Sequence, residues 1–411
     1  MRKNLWLALL LLVFPTLALS ATPAASAWTG EWQASATNGN VTIPFRFVIA
    51  VGKQGIEGRF FNGDDPLTSQ GAQCHGSHLV LNFSAFARVL DLQLQPDGSF
   101  TGTYAPIRSK ATTWSITAHR AVAQAKPSAV GVPSIDGLWI IPGESKKNNE
   151  HAFRFIAHQD GAVLSASILR VGGDTGALTG VWKKGQWELS NFSGTRATLA
   201  TVSAAADGTL VVTLHDSHGN DTRYTAYRPE VARKLGLPDV PDLAAHTTVR
   251  DPNEVFAFSF KDLNGKLVSN TEPRFHNRVL LVDISGSWCP NCHDEAPFLE
   301  ALYRKYHARG LEIVTLDFED ADDTDAPVRL RAFVKKYAPS FPVLLAGTTD
   351  QAQEKLPQTV NLDAWPTTFF IGRDGRVKHV HAGFSAAATG EFHSAIEREF
   401  DAQIEALLKQ G

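Results

Sequence analysis

From about Trp28 to Arg228 the chain alternates between short apolar-polar runs and turn dipeptides. Leu79-Val80-Leu81-Asn82-Phe83, Leu90-Asp91-Leu92-Gln93-Leu94 and Leu210-Val211-Val212-Thr213-Leu214 carry the two-residue or β-branched pattern of strands. Asp97-Gly98 and Asp207-Gly208 supply hairpin turns. The pattern occurs twice. Gly30-Glu31-Trp32 is echoed by Gly137-Leu138-Trp139, Phe45-Arg46-Phe47 by Phe153-Arg154-Phe155, and Asn82-Phe83-Ser84 by Asn191-Phe192-Ser193. Thr117-Ala118-His119-Arg120 returns as Thr225-Ala226-Tyr227-Arg228. Matches in one order at a nearly constant offset define a duplication. Each copy, 28–120 and 135–228, reads as a small antiparallel barrel or sandwich. Ala121 to Pro133 is an Ala/Pro/Val-rich linker, and 229–250 is a second one with a short helical piece at Val231 to Leu235.

The period changes after Asp251. Phe256-Ala257-Phe258-Ser259-Phe260 alternates and leads to the hairpin signal Asn264-Gly265. Val279 to Ile284 is a continuous apolar strand broken only by Asp283. Pro290 to Arg309 predicts a helix with Phe298, Leu299, Leu302 and Tyr306 on one face. A strand at Leu311 to Phe318 and a helix at Val328 to Tyr337 follow. Thr367 to Ile371 and Val377 to His381 pair around Asp374-Gly375, and Glu391 to Lys409 closes as a helix. This order predicts an α/β domain with a mixed sheet over 251–411.

Composition narrows the chemistry. With 39 Lys+Arg against 42 Asp+Glu in 411 residues, no basic surplus points to nucleic acid. Met1 is the single methionine, and the cysteines are Cys74, Cys289 and Cys292. Three thiols do not make a four-Cys zinc or iron–sulfur site, nor a disulfide scaffold. Arg2-Lys3, an apolar run from Leu5 to Leu19 and Ala25-Ser26-Ala27 have the layout of a cleavable secretory signal over 1–27. Cleavage is expected near Ala27-Trp28, with Ser20-Ala21 as an alternative. The rival, a membrane anchor, meets Pro15 and a run below the roughly 20 residues a span needs. The mature chain is therefore expected to be exported or periplasmic, without a membrane span.

The chemistry sits at Trp288-Cys289-Pro290-Asn291-Cys292. Two cysteines three apart at a strand-to-helix junction suit thiol–disulfide exchange. Cys289 falls at the helix N-terminus, where unpaired N–H groups and the macrodipole favour a thiolate, so it is the nucleophile. Cys292, one turn further in, is the resolving thiol. Pro290 suits the first helical turn. Asp283 in an apolar strand is expensive unless it has a task. Buried six residues before Cys289, it can accept the Cys292 proton, or it can simply hydrogen-bond neighbouring backbone. Trp365-Pro366-Thr367 precedes an apolar strand. Its Pro is either an ordinary trans residue at a strand start or a cis one that turns a backbone edge toward the cysteines.

Together these segments resemble the thioredoxin superfamily, specifically the exported TlpA/ResA-like disulfide reductases of the redoxin group. The residues that carry the resemblance are Leu281-Val282-Asp283, Ser287-Trp288-Cys289-Pro290-Asn291-Cys292, Glu295-Ala296-Pro297-Phe298 and Trp365-Pro366-Thr367, within about Asp251 to Gly411. The resemblance implies a cis Pro366 and a substrate strand held by Pro366 and Thr367, with Trp288, Pro290 and Trp365 beside it. It implies protein thiols or disulfides as substrates and an upstream electron donor as partner, with no cofactor. Asp283 matches thioredoxin itself, whereas many TlpA-like proteins carry another residue there, and Trp365 is also atypical. The β units look like N-terminal extensions of some TlpA-like proteins.

The same residues allow rivals. Cys289 to His293 spells C-x-x-C-H, the c-type haem attachment pattern, but no Met is present as sixth ligand and Asp283 and Pro366 are left unexplained. His293 is then expected to be a partly exposed residue of the first turn. Gly286 stands where a peroxiredoxin has Thr or Ser. A disulfide-forming oxidant uses the same Cys-Pro-x-Cys centre, and a binding or assembly protein working through its β units is the other class. Cys74-His75 faces Lys183-Lys184 in the second copy, so Cys74 reads as incidental. The acidic run Asp317 to Asp325 reads as a solvated loop, since it lacks the Gly and distal Glu of an EF-hand. His379 and His381 share a strand face and read as surface residues; Asn82 and Asn191 fit the N-x-S sequon.

Overall fold

The computed structural model describes residues 27–53, 55–123, 125–145, 150–321 and 323–410. The expected export signal falls on 1–26, outside the described residues apart from Ala27.

The first unit is a meander of nine strands. They are β1 (Gly30–Asn38), β2 (Val41–Gly52), β3 (Gly55–Asn62), β4 (Asp65–Thr68), β5 (Gly71–His75), β6 (His78–Phe83), β7 (Arg88–Leu94), β8 (Phe100–Pro106) and β9 (Trp114–Arg120). The sheet runs β4-β3-β2-β1-β9-β8-β7-β6-β5, so the first and last strands pair and the meander curls on itself. The second unit repeats this with β10 (Gly137–Ser145), β11 (Glu150–Asp160), β12 (Val163–Arg170), β13 (Gly173–Asp174), β14 (Leu178–Lys183), β15 (Gln186–Phe192), β16 (Ala197–Ala204), β17 (Leu210–Leu214) and β18 (Thr222–Ala226). Here β12 pairs with β14, and an Ile140–Tyr227 bridge brings β18 back to β10. Both units are near-closed barrels.

Alternation along the strands fills the two interiors. Trp28, Trp32, Phe47, Phe60, Phe83, Phe100 and Tyr104 are buried in the first, and Trp139, Phe153, Phe155 and Trp187 in the second. Details recur between the copies. Trp32 Nε1 donates to the Trp28 carbonyl at 3.0 Å and Trp139 Nε1 to the Ile135 carbonyl at 2.8 Å. Arg120 stacks 3.9 Å over Trp32, as Arg228 does over Trp139. The units meet through Asn62 Oδ1, which accepts from Ala177 N–H at 2.8 Å and Asn191 Nδ2 at 3.0 Å. Asn191 is thus an interior residue, not a sequon open to modification.

Helices α1 (Pro229–Lys234) and α2 (Leu243–His246) lead into the third region, where β19 (Thr248–Val249) pairs with β25 (Thr359–Val360). Its main sheet comprises β20 (Ser259–Asp262), β21 (Leu267–Ser269), β22 (Val279–Ser285), β23 (Leu311–Glu319), β24 (Val343–Thr348), β26 (Thr367–Ile371) and β27 (Val377–Ala382). The order is β21-β20-β24-β23-β22-β26-β27. Strands β22, β23 and β24 are parallel, while β26 runs antiparallel to β22. Helices α3 (Pro290–Tyr306), α4 (Ala326–Tyr337), α5 (Ala352–Lys355) and α6 (Glu391–Lys409) complete it.

Two expectations are corrected and one strand is added. Phe256 and Phe258 are buried in irregular backbone, and the strand starts only at Ser259 because the flanking segment pairs too little to extend it. Strand β24 had no expectation: Val343-Leu344-Leu345-Ala346 follows a proline and gives a run too short to rank above loop. The acidic run is a solvated loop only in its middle, where Asp320, Ala321 and Thr324 are exposed. Asp317 and Glu319 finish β23 and Asp325 is buried before α4, because cationic and backbone partners lie over them.

The interior aromatics make a direct test. Phe60 is fully buried against Phe45, Phe47, Phe83, Tyr104 and Phe192. Phe60→Ala should destabilise the first unit by about 3–5 kcal/mol. Exposed Val130, changed to Ala, should leave the urea midpoint within about 0.5 kcal/mol of the parent.

Candidate functional site

Strand β22 is buried along its whole length between β23 and β26, and its C-terminal end delivers the chain to α3. Helix α3 opens with Cys289 as its N-cap: the Cys292 N–H points at Cys289 Sγ at 3.3 Å, and Pro290 takes the first position, where no N–H is needed. The Cys289 thiol donates to the Trp365 carbonyl at 3.4 Å. The Trp365–Pro366 bond at the start of β26 is cis. Both thiols are free; Cys289 is 3% and Cys292 1% exposed.

Asp283 lies in mid-strand, 2% exposed, opposite Thr315 on β23 and Thr368 on β26. The Thr315 hydroxyl donates to its Oδ2 at 2.9 Å, and the Glu295 carboxyl is its further hydrogen-bond partner. Burial pushes the Asp283 carboxyl up to about 7, against the lowering effect of the Thr315 hydroxyl. Glu295 comes down on it from α3, 1% exposed, and accepts from the Thr368 hydroxyl at 3.2 Å. Desolvation, with the Asp283 charge beside it, holds Glu295 well above the usual carboxylate range. The Cys292 thiol is raised too, first by burial and then by the neighbouring Cys289 and the carboxyls. Asp283 and Cys292 both line one cavity of about 10 Å³, close to the space of a single water.

The other expected positions fall around this pair. Trp288 is half-buried, donates from Nε1 to the Phe318 carbonyl at 2.9 Å and lies 6.2 Å from the Trp365 ring. Thr367 is buried with its hydroxyl on the Ala364 carbonyl at 2.8 Å, so its side chain does not face the cysteines. The Pro366 carbonyl accepts from Gly383 N–H at 2.7 Å.

His293 is not a partly exposed first-turn residue: it is 3% exposed, because Phe86 of the first unit and Phe333 pack edge-on against its ring. Its two nitrogens contact Tyr337 Oη and the Ser287 carbonyl, both at 2.9 Å. Burial keeps it neutral, well below the ordinary imidazole range. His379 and His381 are likewise not surface residues; both bond Glu399 Oε1, at 2.6 and 3.0 Å, and those bonds hold Glu399 down at about 2 despite its burial. The acidic run serves Arg329, which binds Glu319 and Asp323 and donates to Ser287 Oγ at 2.9 Å, bracing the residue two before Cys289.

Sequence reasoning did not single out Glu295 as a site residue. Its signal was present: positions 292, 295, 299, 302 and 306 form one helical stripe, otherwise Cys, Leu, Leu and Tyr, so a Glu in that stripe faces the sheet. Arg196 and the 171–174 loop, which reach the site from the second β unit, had no such signal.

Residues 250–395 match the Redoxin family model. ResA, a thiol-disulfide oxidoreductase of Bacillus thuringiensis subsp. konkukian, is 35% identical over 120 residues, which is 29% of this chain and 62% of ResA. The thioredoxin-like protein YneN of Bacillus subtilis is 28% identical over 31% of this chain and 68% of its own. A thiol:disulfide interchange protein DsbE from Chlorobium tepidum aligns with 39% of this chain and 99% of its own, at 23% identity and a TM-score of 0.31. The chain therefore carries, toward its C-terminus, a thioredoxin-superfamily redoxin domain. That domain is similar in sequence to ResA, and the chain spans 62% of the length of the ResA it matches.

The raised Asp283 carboxyl has a consequence for stability. The folded chain keeps this proton to higher pH than the unfolded chain does, so its contribution is complete below about pH 4 and is lost as pH rises through about 7. Asp283→Asn removes that loss. Relative to the parent, the variant should gain roughly 4 kcal/mol between pH 4 and pH 8 in urea unfolding, from three pKa units at about 1.4 kcal/mol each. Parallel pH profiles for the two proteins would contradict a buried protonated Asp283.

Proposed function

We propose that the protein is an exported thiol–disulfide oxidoreductase, acting as a reductase, with Cys289 as nucleophile and Cys292 as resolving thiol. The observation that carries this reading is the placement of the two cysteines. Cys289 caps helix α3 against the cis Trp365–Pro366 bond, and Cys292 shares a water-sized cavity with a carboxyl that is half protonated near pH 7.

The Cys289 thiolate attacks one sulfur of a protein disulfide, forming a mixed disulfide and releasing the other sulfur as a thiolate. Cys292 gives its proton to Asp283 through the shared cavity, with Glu295 holding a second proton nearby. The Cys292 thiolate then attacks Cys289 Sγ, forms the Cys289–Cys292 disulfide and expels the second substrate thiol. Two electrons have passed to the substrate, and an upstream dithiol donor restores the pair. The backbone at Trp365 and Pro366 supplies the edge that holds the substrate strand, with Trp288 and Pro290 beside it; Thr367 acts through its main chain. Residues 28–120 and 135–228 are read as separate β units ahead of the 251–411 domain. Relatives named as oxidoreductases support the reading at the level of the family.

Cys292→Ser should accumulate a mixed disulfide with substrate that mass spectrometry detects, and Cys289→Ser should form none. Asp283→Asn should slow the resolving step about 100-fold at pH 7. A titration of the unsubstituted protein against glutathione and dithiothreitol should give a two-electron transition near about −270 mV. A value nearer −120 mV would make it a disulfide-forming oxidant instead.

A further inference from the structure

The second β unit meets the redoxin domain on the cysteine motif itself. Asn291, between the two cysteines, is held at both ends of its amide: Arg196 donates to Oδ1, and Nδ2 donates to the Gly172 carbonyl at 2.9 Å. The same Arg196 nitrogen donates to Asp294 at 2.7 Å, and the guanidinium is buried. The carrier loop is built for close approach. A Cβ on Gly173 would sit 2.3 Å from Asn291 Nδ2, and one on Gly383 would sit 2.0 Å from the Val171 carbonyl oxygen. Asp174 Oδ2 accepts from Ala386 N–H at 2.6 Å, so the loop reaches from Asn291 to the turn after β27.

The barrel does not need an arginine at 196. Phe83 pairs with Arg88 in the first unit and Phe192 with Ala197 in the second, so the residue equivalent to Arg196 is Ala87. A buried guanidinium is costly to desolvate, and a carboxylate left behind without it is costlier. Its place on the motif therefore calls for a task there. Asp294 and Asp174 are the anions facing Arg196.

We propose that the second β unit is part of the redox centre, with Arg196 as a positioning residue that fixes Asn291 and brings a buried cation to the Cys289 end of helix α3. The inference rests on the oxidoreductase reading above. A cation there favours the Cys289 thiolate and so the reduced pair, which raises the midpoint potential, by the logic that makes an oxidant of any protein whose reduced form is stabilised. The β unit then tunes the cysteine pair in cis.

The test is the midpoint potential of the full chain and of Arg196→Met, Arg196→Lys and the double variant Arg196→Met/Asp294→Asn, each titrated against glutathione. Arg196→Met should shift the thiol–disulfide equilibrium about tenfold toward the disulfide, equal to about 30 mV more reducing. Arg196→Lys, which keeps the charge and loses the fork, should recover most of that shift. The double variant removes the ion pair as a unit and leaves Asp174 on the Gly176 and Ala386 N–H groups; it should shift toward the disulfide by less than Arg196→Met. A folded Arg196→Met, or double variant, with the parent's potential would overturn the proposal, and so would a lysine variant shifted as far as the methionine one. A parent with no reversible two-electron transition would instead sink the oxidoreductase reading, so the two failures are distinguishable.

Discussion

Desolvation of two acids, one inside a buried strand and one on the helix above it, is the constraint around which this molecule is arranged. Every residue of β22 is buried, yet Asp283 stands in its middle and Glu295 descends on it from α3. Two carboxyls so close and so dry do not both ionise, so the pair keeps a proton near neutral pH. Cys292, in the same dry space, is held as a thiol by the same cause. One helical turn away, Cys289 sits at the helix start, where the Cys292 N–H points at its sulfur. The division of labour between two identical side chains thus follows from their position along one helix.

Dryness needs a cover. Here the cover is built from both β units. Phe86 closes on His293, Lys336 lies 4.7 Å from the Phe86 ring, and Asp325 accepts from Arg108 and Ser109 N–H at 3.0 and 2.8 Å. Between these parts a cavity of about 400 Å³ reaches Ser287 and Trp288 from the direction of Tyr104 and Trp114. The units are therefore packed against the cysteine motif and not strung ahead of it as spacers. Burial of Cys289 follows from that packing together with the Trp365 contact.

Much of this was legible in the sequence, and the failures share a physical cause. Periodicity located both barrels, their duplication, β22, β23, α3 and α6, because those elements bury a continuous face. The Cys pair, Asp283 and Pro366 were legible because each is an anomaly in its element: thiols at a junction, a charge in an apolar strand, a proline at a strand start. What could not be read was long-range cover. Asp317, Glu319 and Asp325 look like solvent-seeking residues until Arg329, Arg108 and Ser109 are brought over them by the fold. His293, His379 and His381 were misplaced for the same reason, since nothing local announces Phe86 or Glu399. Arg196 is the extreme case, lying 95 positions before its partner Asn291 in an otherwise unremarked turn.

The duplication itself explains how two barrels come to serve one helix. In each copy the turn after the strand ending Asn-Phe leaves the barrel toward the redoxin domain. In the first copy that turn, 84–87, presents Phe86 to His293; in the second, 193–196, it presents Arg196 to Asn291 and Asp294. Equivalent turns thus reach nearly consecutive residues of the same first helical turn, one with an aromatic wedge and one with a cation. Each barrel has kept one tryptophan, Trp32 or Trp139, under a stacked arginine. The turns are buried too, but against the redoxin domain and not against their own barrel alone, so their side chains differ with what they meet there. Divergence at that one turn is what converts a repeated structural unit into two different contributions to the cysteine site, one that excludes water and one that supplies charge.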